Sequence, residues 1–170
     1  MANELELIAS IYVDEDGART ILDGLQRMDK SGTITMADAA MVTKDDDGKL
    51  HITETKDLTA GKGAGRGALV GGALGLFFPP SILATTFVGG LIGSAWGKLH
   101  DTGIKTGEMK DLANGLEPGN AAVLALAEPR YLDAILDTMN AFPGKFLRHA
   151  FSAEEASQMA DAASDNDANA

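Results

Sequence analysis

Gly61-Lys62-Gly63-Ala64-Gly65-Arg66-Gly67 is the stretch nearest to a phosphate-binding loop in this sequence. A glycine-rich turn between a strand and a helix offers backbone N–H groups and a helix N-terminus to an anion. The spacing does not complete either nucleotide fingerprint. No Gly-x-x-x-x-Gly-Lys-Ser/Thr is present, and the last glycine of Gly-x-Gly-x-x-Gly, counted from Gly61, is replaced by Arg66. No acidic residue follows at the distance that holds a ribose. The histidines His51, His100 and His149 have no second histidine three or four residues away, the pairing that marks many metal sites. Asp45-Asp46-Asp47-Gly48 lacks the alternating spacers and the closing Glu of a calcium loop, so it reads as a solvated turn. Asp14, Glu15 and Asp16 suit the positive end of a helix rather than a catalytic pair. No Ser, Thr or Lys stands in a nucleophile motif. These residues predict no catalytic, cofactor-binding or metal site.

The same glycines do something else. Gly63, Gly67, Gly71 and Gly75 form one ladder, and Gly89, Gly93 and Gly97 a second. Residues four apart share a helix face, so each ladder is a stripe without side chains. Seven helical glycines cost roughly 7 kcal/mol against alanine. Close packing of one backbone on another would offset that cost, and small-xxx-small spacing is how helices approach closely in membranes. Phe77-Phe78-Pro79-Pro80 separates the ladders, and residues 67–97 carry no charged side chain. Because Pro79 and Pro80 cannot continue a helix, the spacing predicts a hairpin of two helices, about 60–78 and 81–99. With glycine on one face and Leu, Ile, Phe and Trp96 on the others, each arm is apolar nearly all round. Such a helix is buried in protein or in lipid.

The elements around the hairpin follow from periodicity. Leu5 to Val13 reads as a central strand. Ala18, Ile21, Leu22, Leu25 and Met28 make a helical stripe that Ser31-Gly32 ends. Thr33–Thr43 and Leu50–Lys56 are strands joined through the Asp47-Gly48 hairpin signal. After the insertion, Gly107–Gly115 reads as a short helix around Met109 and Leu112. Ala121–Ala127 is a buried strand. Pro129 opens a helix with Leu132, Ile135, Leu136 and Met139 on its stripe. Lys145–Phe151 is the last strand, and Ser152 with Glu155 caps a final short helix. Without the insertion, the order condenses to strand-helix-strand-strand-helix-strand. The expected fold is therefore α+β, a ferredoxin-like split βαβ. Its halves are 4–58 and 101–160, its inserted hairpin 59–100, and its acidic tail 161–170, which reads as disordered.

Leu58-Thr59-Ala60-Gly61, the glycine hairpin, Asp101-Thr102-Gly103-Ile104 and Leu116-Glu117-Pro118-Gly119-Asn120-Ala121-Ala122 occur in an order that resembles a bacterial family. It is catalogued as a membrane protein of unknown function, domain-of-unknown-function family 1269. The resemblance spans about residues 4–160. It implies a glycine-zipper segment and membrane association. It implies no reaction, cofactor or catalytic residue.

Charge and length bound the partners. Fourteen basic residues stand against 25 acidic ones, a net charge of −11 among 170 residues, which opposes nucleic-acid binding. The chain has no cysteine, hence no disulfide and no thiolate chemistry. Met1–Asp16 has no basic start or cleavage pattern, so no signal peptide is expected. A spanning helix needs about 20 apolar residues. The first arm has 12 between Arg66 and Pro79 and the second 17 from Ser81 to Gly97, roughly 18 and 26 Å of helix. A re-entrant or shallow hairpin fits those lengths better than two full spans. Lys62, Arg66 and Lys98 gather at its open end, as the positive-inside rule asks, with Trp96 at the interface. The expectation is a non-enzymatic homo-oligomer that meets inner-membrane lipid from the cytoplasmic side. The alternative is a soluble cytoplasmic oligomer, a scaffold or binding module, with its hairpins buried between subunits.

Overall fold

Asp14 starts the first helix because its carboxylate Oδ1 accepts the Gly17 N–H at 2.6 Å, an N-cap that satisfies one of the helix's unpaired donors. The computed structural model describes residues 4–48, 50–54 and 114–154. In them β1 is Leu5–Tyr12, α1 Glu15–Lys30, β2 Met36–Lys44 and β3 Leu50–Glu54. After the insertion come β4 (Ala121–Ala127), a single 3-10 turn at Pro129–Tyr131, α2 (Leu132–Met139) and β5 (Gly144–Phe151). The protein is a mixed α+β structure. Its antiparallel sheet has the order β3-β2-β4-β1-β5.

Several strand boundaries differ from the sequence reading: β2 runs on to Lys44 and β5 begins at Gly144, one residue beyond each expected end. β1 stops at Tyr12, leaving Val13 76% exposed. β2 starts at Met36 rather than Thr33, because Thr33 and Ile34 both donate backbone N–H to Met28 O and close the end of α1. The described sheet holds five strands, the five that periodicity marks one by one; the condensed six-element order counts four of them. The Asp45–Gly48 turn makes β3 the strand outside that order. Gly48 takes φ +80° and donates to Asp45 O at 2.9 Å, a left-handed conformation natural to glycine. The turn folds β3 back on β2 as an edge strand, so β4 pairs with the other side of β2. Pro129 opens the 3-10 turn that leads into α2. The hairpin, its glycine ladders, residues 59–113 and the tail lie outside the described residues.

β4 is Ala-Ala-Val-Leu-Ala-Leu-Ala, buried at all seven positions, the continuous apolar run of a strand covered on both faces. One face carries Ala121, Val123, Ala125 and Ala127, with Ile8 and Tyr12 of β1 and Ala39 and Met41 of β2. Against it pack Ala18, Ile21, Leu22 and Leu25 of α1 and Leu132, Ile135 and Met139 of α2. The small β4 alanines let both helices lie close to the sheet. The other face carries Leu7, Ala9, Ile11, Ala40, Val42, Ala122, Leu124 and Leu126, and these too are at most 8% exposed.

Candidate functional site

Strand alternation puts Glu6, Ile8, Ser10 and Tyr12 on the helix-bearing face of β1, beside the edge strand β5. Ile8 is opposite Arg148, Ser10 opposite Phe146 and Tyr12 opposite Gly144. Arg148 reaches diagonally to Glu6. Its Nη2 donates to Oε1 at 3.0 Å and its Nε to Oε2. This two-pronged fork is the strong form of the Arg–carboxylate pair. Glu6 is 8% exposed while the Arg148 side chain is about half exposed. The hydrogen bond to Glu6, and then the charges of Glu6 and Asp133, hold Arg148 protonated against partial burial.

Tyr12 ties the sheet to α2. Its buried hydroxyl donates to Met139 O at 2.8 Å. Burial pushes its pKa up to about 12, and the adjacent Ser10 hydroxyl offsets part of the rise. Ser10 Oγ is itself buried and has no well-formed hydrogen bond among the described residues. Gly144 is packed directly over it. A Cβ at Gly144 would land on Ser10 Oγ and would sit 3.2 Å from Ile11 O.

Serine chemistry needs a base within hydrogen-bond reach. Glu6 lies four residues from Ser10, roughly 13 Å along a strand, and is already held by Arg148. The strip of Glu6, Ser10, Tyr12 and Arg148 therefore fastens β5 to β1 and β1 to α2. It supplies no activated nucleophile. Elsewhere, Asp45 Oδ2 and His51 Nε2 lie 2.8 Å apart at the β2–β3 turn, with the histidine side chain 60% exposed. Among the described residues no three His, Asp or Glu side chains gather as metal ligands. No helix among them is long and apolar enough to cross a membrane.

The sequence reading placed self-association on Gly63, Gly67, Gly71, Gly75, Gly89, Gly93 and Gly97, and interface anchoring on Lys62, Arg66, Trp96 and Lys98. All eleven lie outside the described residues, as does His100. The Glu6–Arg148 fork was missed. Its one sequence signal is a lone carboxylate in the otherwise apolar or small run from Leu5 to Val13.

An antiparallel sheet with two helices on one face, interrupted between β3 and β4 by a glycine-rich insertion, defines the class of protein. Residues 64–164 match the family described as protein of unknown function (DUF1269), and the chain belongs to that family. The matched span takes in both glycine ladders from Gly67 onward, β4, α2 and β5. Neither the curated proteins nor the solved structures give a match.

Proposed function

We propose that the protein is a non-enzymatic, self-associating module whose glycine-zipper hairpin inserts in or lies on the bacterial inner membrane from the cytoplasmic side. The carrying observation is the run 67–97, free of charge and bearing three glycines four residues apart in each arm, Gly67, Gly71 and Gly75 in the first and Gly89, Gly93 and Gly97 in the second. Lys62, Arg66 and Lys98 at its open end favour the cytoplasmic side. We read the folded part as a ferredoxin-like split βαβ domain. The order β5-β1-β4-β2, with α1 and α2 on one face, supports this, and β3 is an added edge strand. The hairpin is then an insertion between β3 and β4.

The arm lengths favour a second reading. At 12 and 17 residues, both arms fall short of the roughly 20 that a span requires. A soluble homo-oligomer with its hairpins buried between subunits accommodates such short arms without lipid. Fractionation of expressing cells separates the two. The membrane reading expects the protein in the membrane pellet, released by detergent and not by salt. A discrete oligomer in the soluble fraction would instead establish the scaffold reading.

A further inference from the structure

We propose that the outer edge of β5 pairs with β5 of a second copy, antiparallel and two-fold about Phe146, so that two sheets join into one. Among the described residues β5 ends the sheet. Its pairing with β1 runs from Leu5–Phe151 to Tyr12–Gly144 without a register shift. Natural edge strands are blunted by bulges, prolines or outward charges, and one without them is a template for a further strand. No proline or bulge interrupts Gly144–Phe151. The charge of Arg148 is turned back onto β1, where the guanidinium holds Glu6. Gly144, Lys145, Phe146 and Arg148 are exposed. The large apolar side chains exposed among the described residues gather at the same edge. Phe146 is 36% exposed, and Phe142, two residues before the strand, 39%. Val13, 76% exposed, follows Tyr12, which lies opposite Gly144.

Charge selects both the occupant and the register. Glu6 and Asp133 already answer the charge of Arg148, so the strand offers little to a foreign acidic peptide. A second copy brings the same strand in reverse. Paired residues must share a sheet face, so the two-fold passes through a residue position and not between two. Centring on Lys145 or on Arg148 sets like charges directly opposite, which is destabilising. Centring on Leu147 sets Lys145 against His149, a second basic residue. Centring on Phe146 avoids both. It sets Phe146 against Phe146, an aromatic cross-strand pair of the favourable kind. It sets Lys145 against Leu147, along which the lysine stem can lie. It also sets Gly144 against Arg148, so the position without a side chain leaves room for the longest one. The surface lies in the sheet domain and is separate from the glycine ladders, so it adds a second contact to the self-associating reading without using the hairpin.

The cysteine-free chain permits a direct test on the full-length protein. Under mild oxidation Phe146→Cys is expected to form a disulfide-linked dimer at least ~10-fold faster than Asp23→Cys on the exposed side of α1, because directly opposite Cβ atoms lie about 4.5–5.5 Å apart. Differently tagged Lys145→Cys and Leu147→Cys chains, when mixed, should cross-link to each other rather than to themselves. Position 146 and positions 145 and 147 belong to alternate classes of antiparallel pair. One of the two cross-links therefore falls at a non-hydrogen-bonded pair, where side chains come closest. In the wild-type chain, which needs no substitution to fold, successive amides of β5 should all be protected from exchange, whereas an unpaired edge leaves alternate N–H groups to water. Fast exchange at every second residue of β5 would overturn the pairing, as would a Phe146→Cys rate no higher than that of Asp23→Cys. Cross-linking should survive Gly71→Leu, which acts on the zipper alone, so failure of the edge and failure of the zipper are read separately. Its loss in Gly71→Leu would also contradict pairing through β5.

Discussion

At Gly24 and Gly144 the same substitution should have opposite effects. Gly24 lies within α1, where a Cβ would meet Thr138 Cγ2 of α2 at 3.4 Å, an ordinary contact. Gly24→Ala is expected to raise stability by up to about 1 kcal/mol through helix propensity. Gly144→Ala forces a methyl onto Ser10 Oγ and towards Ile11 O, which belongs to the backbone and cannot rotate away. It should lower stability by about 1–3 kcal/mol, the usual cost of overpacking. Urea melts of both variants check the signs. Tyr12 gives a pH test. Its folded pKa of about 12 lies above the ordinary 10, so between those values the folded state binds more protons than the unfolded one. The stabilisation is complete below pH 10 and is lost as pH rises, at up to ~1.4 kcal/mol per pH unit. Tyr12→Phe should be weaker at neutral pH by about 1 kcal/mol, for the lost bond to Met139 O. It should also lack this alkaline loss. Equal alkaline slopes in the two proteins would contradict the assigned burial.

The stripes of α1 and α2 were legible because 3.6-residue periodicity reports burial directly. Ala18, Ile21, Leu22 and Leu25 are where it puts them. The Asp47-Gly48 hairpin was legible from turn chemistry, since only a residue tolerant of positive φ closes it cheaply. Pairing partners were not. Nothing in Ala121–Ala127 says that it inserts between β1 and β2, because sheet order is fixed by long-range contacts that leave no local period. The fork from Arg148 to Glu6 escaped for the same reason, being 142 positions apart in the chain. Its role is testable at the level of the strand. Arg148→Met leaves a buried carboxylate without its partner, which is costlier than losing the pair itself. Backbone amides of β5 should exchange markedly faster, and Glu6→Gln/Arg148→Met should recover part of the protection. Unchanged β5 exchange in Arg148→Met would show that the fork does not fasten the edge.

For the whole molecule, the proposed function requires the sheet domain to fold without the hairpin. Joining Thr59 to Asp101 through a Gly/Ser linker removes the glycine hairpin and keeps all five strands and both helices of the sheet domain. That protein should unfold cooperatively and assemble to a smaller size. Loss of cooperative unfolding would make the hairpin part of the core. The central claim is that the glycine ladders are contact surfaces, and Gly71 and Gly93 stand in the middle of each. Leucine on a contact surface pushes backbones apart. Leucine on a free helix face stabilises the helix by up to about 1 kcal/mol. The most direct measurement is the melting temperature and assembly size of Gly71→Leu and Gly93→Leu, with Gly71→Ala as the graded control, at matched protein concentration because assembly couples to stability. The account predicts a lower melting temperature and a dispersed oligomer for each leucine variant, with Gly71→Ala between them and wild type. A leucine variant that melts higher with its assembly intact would contradict it.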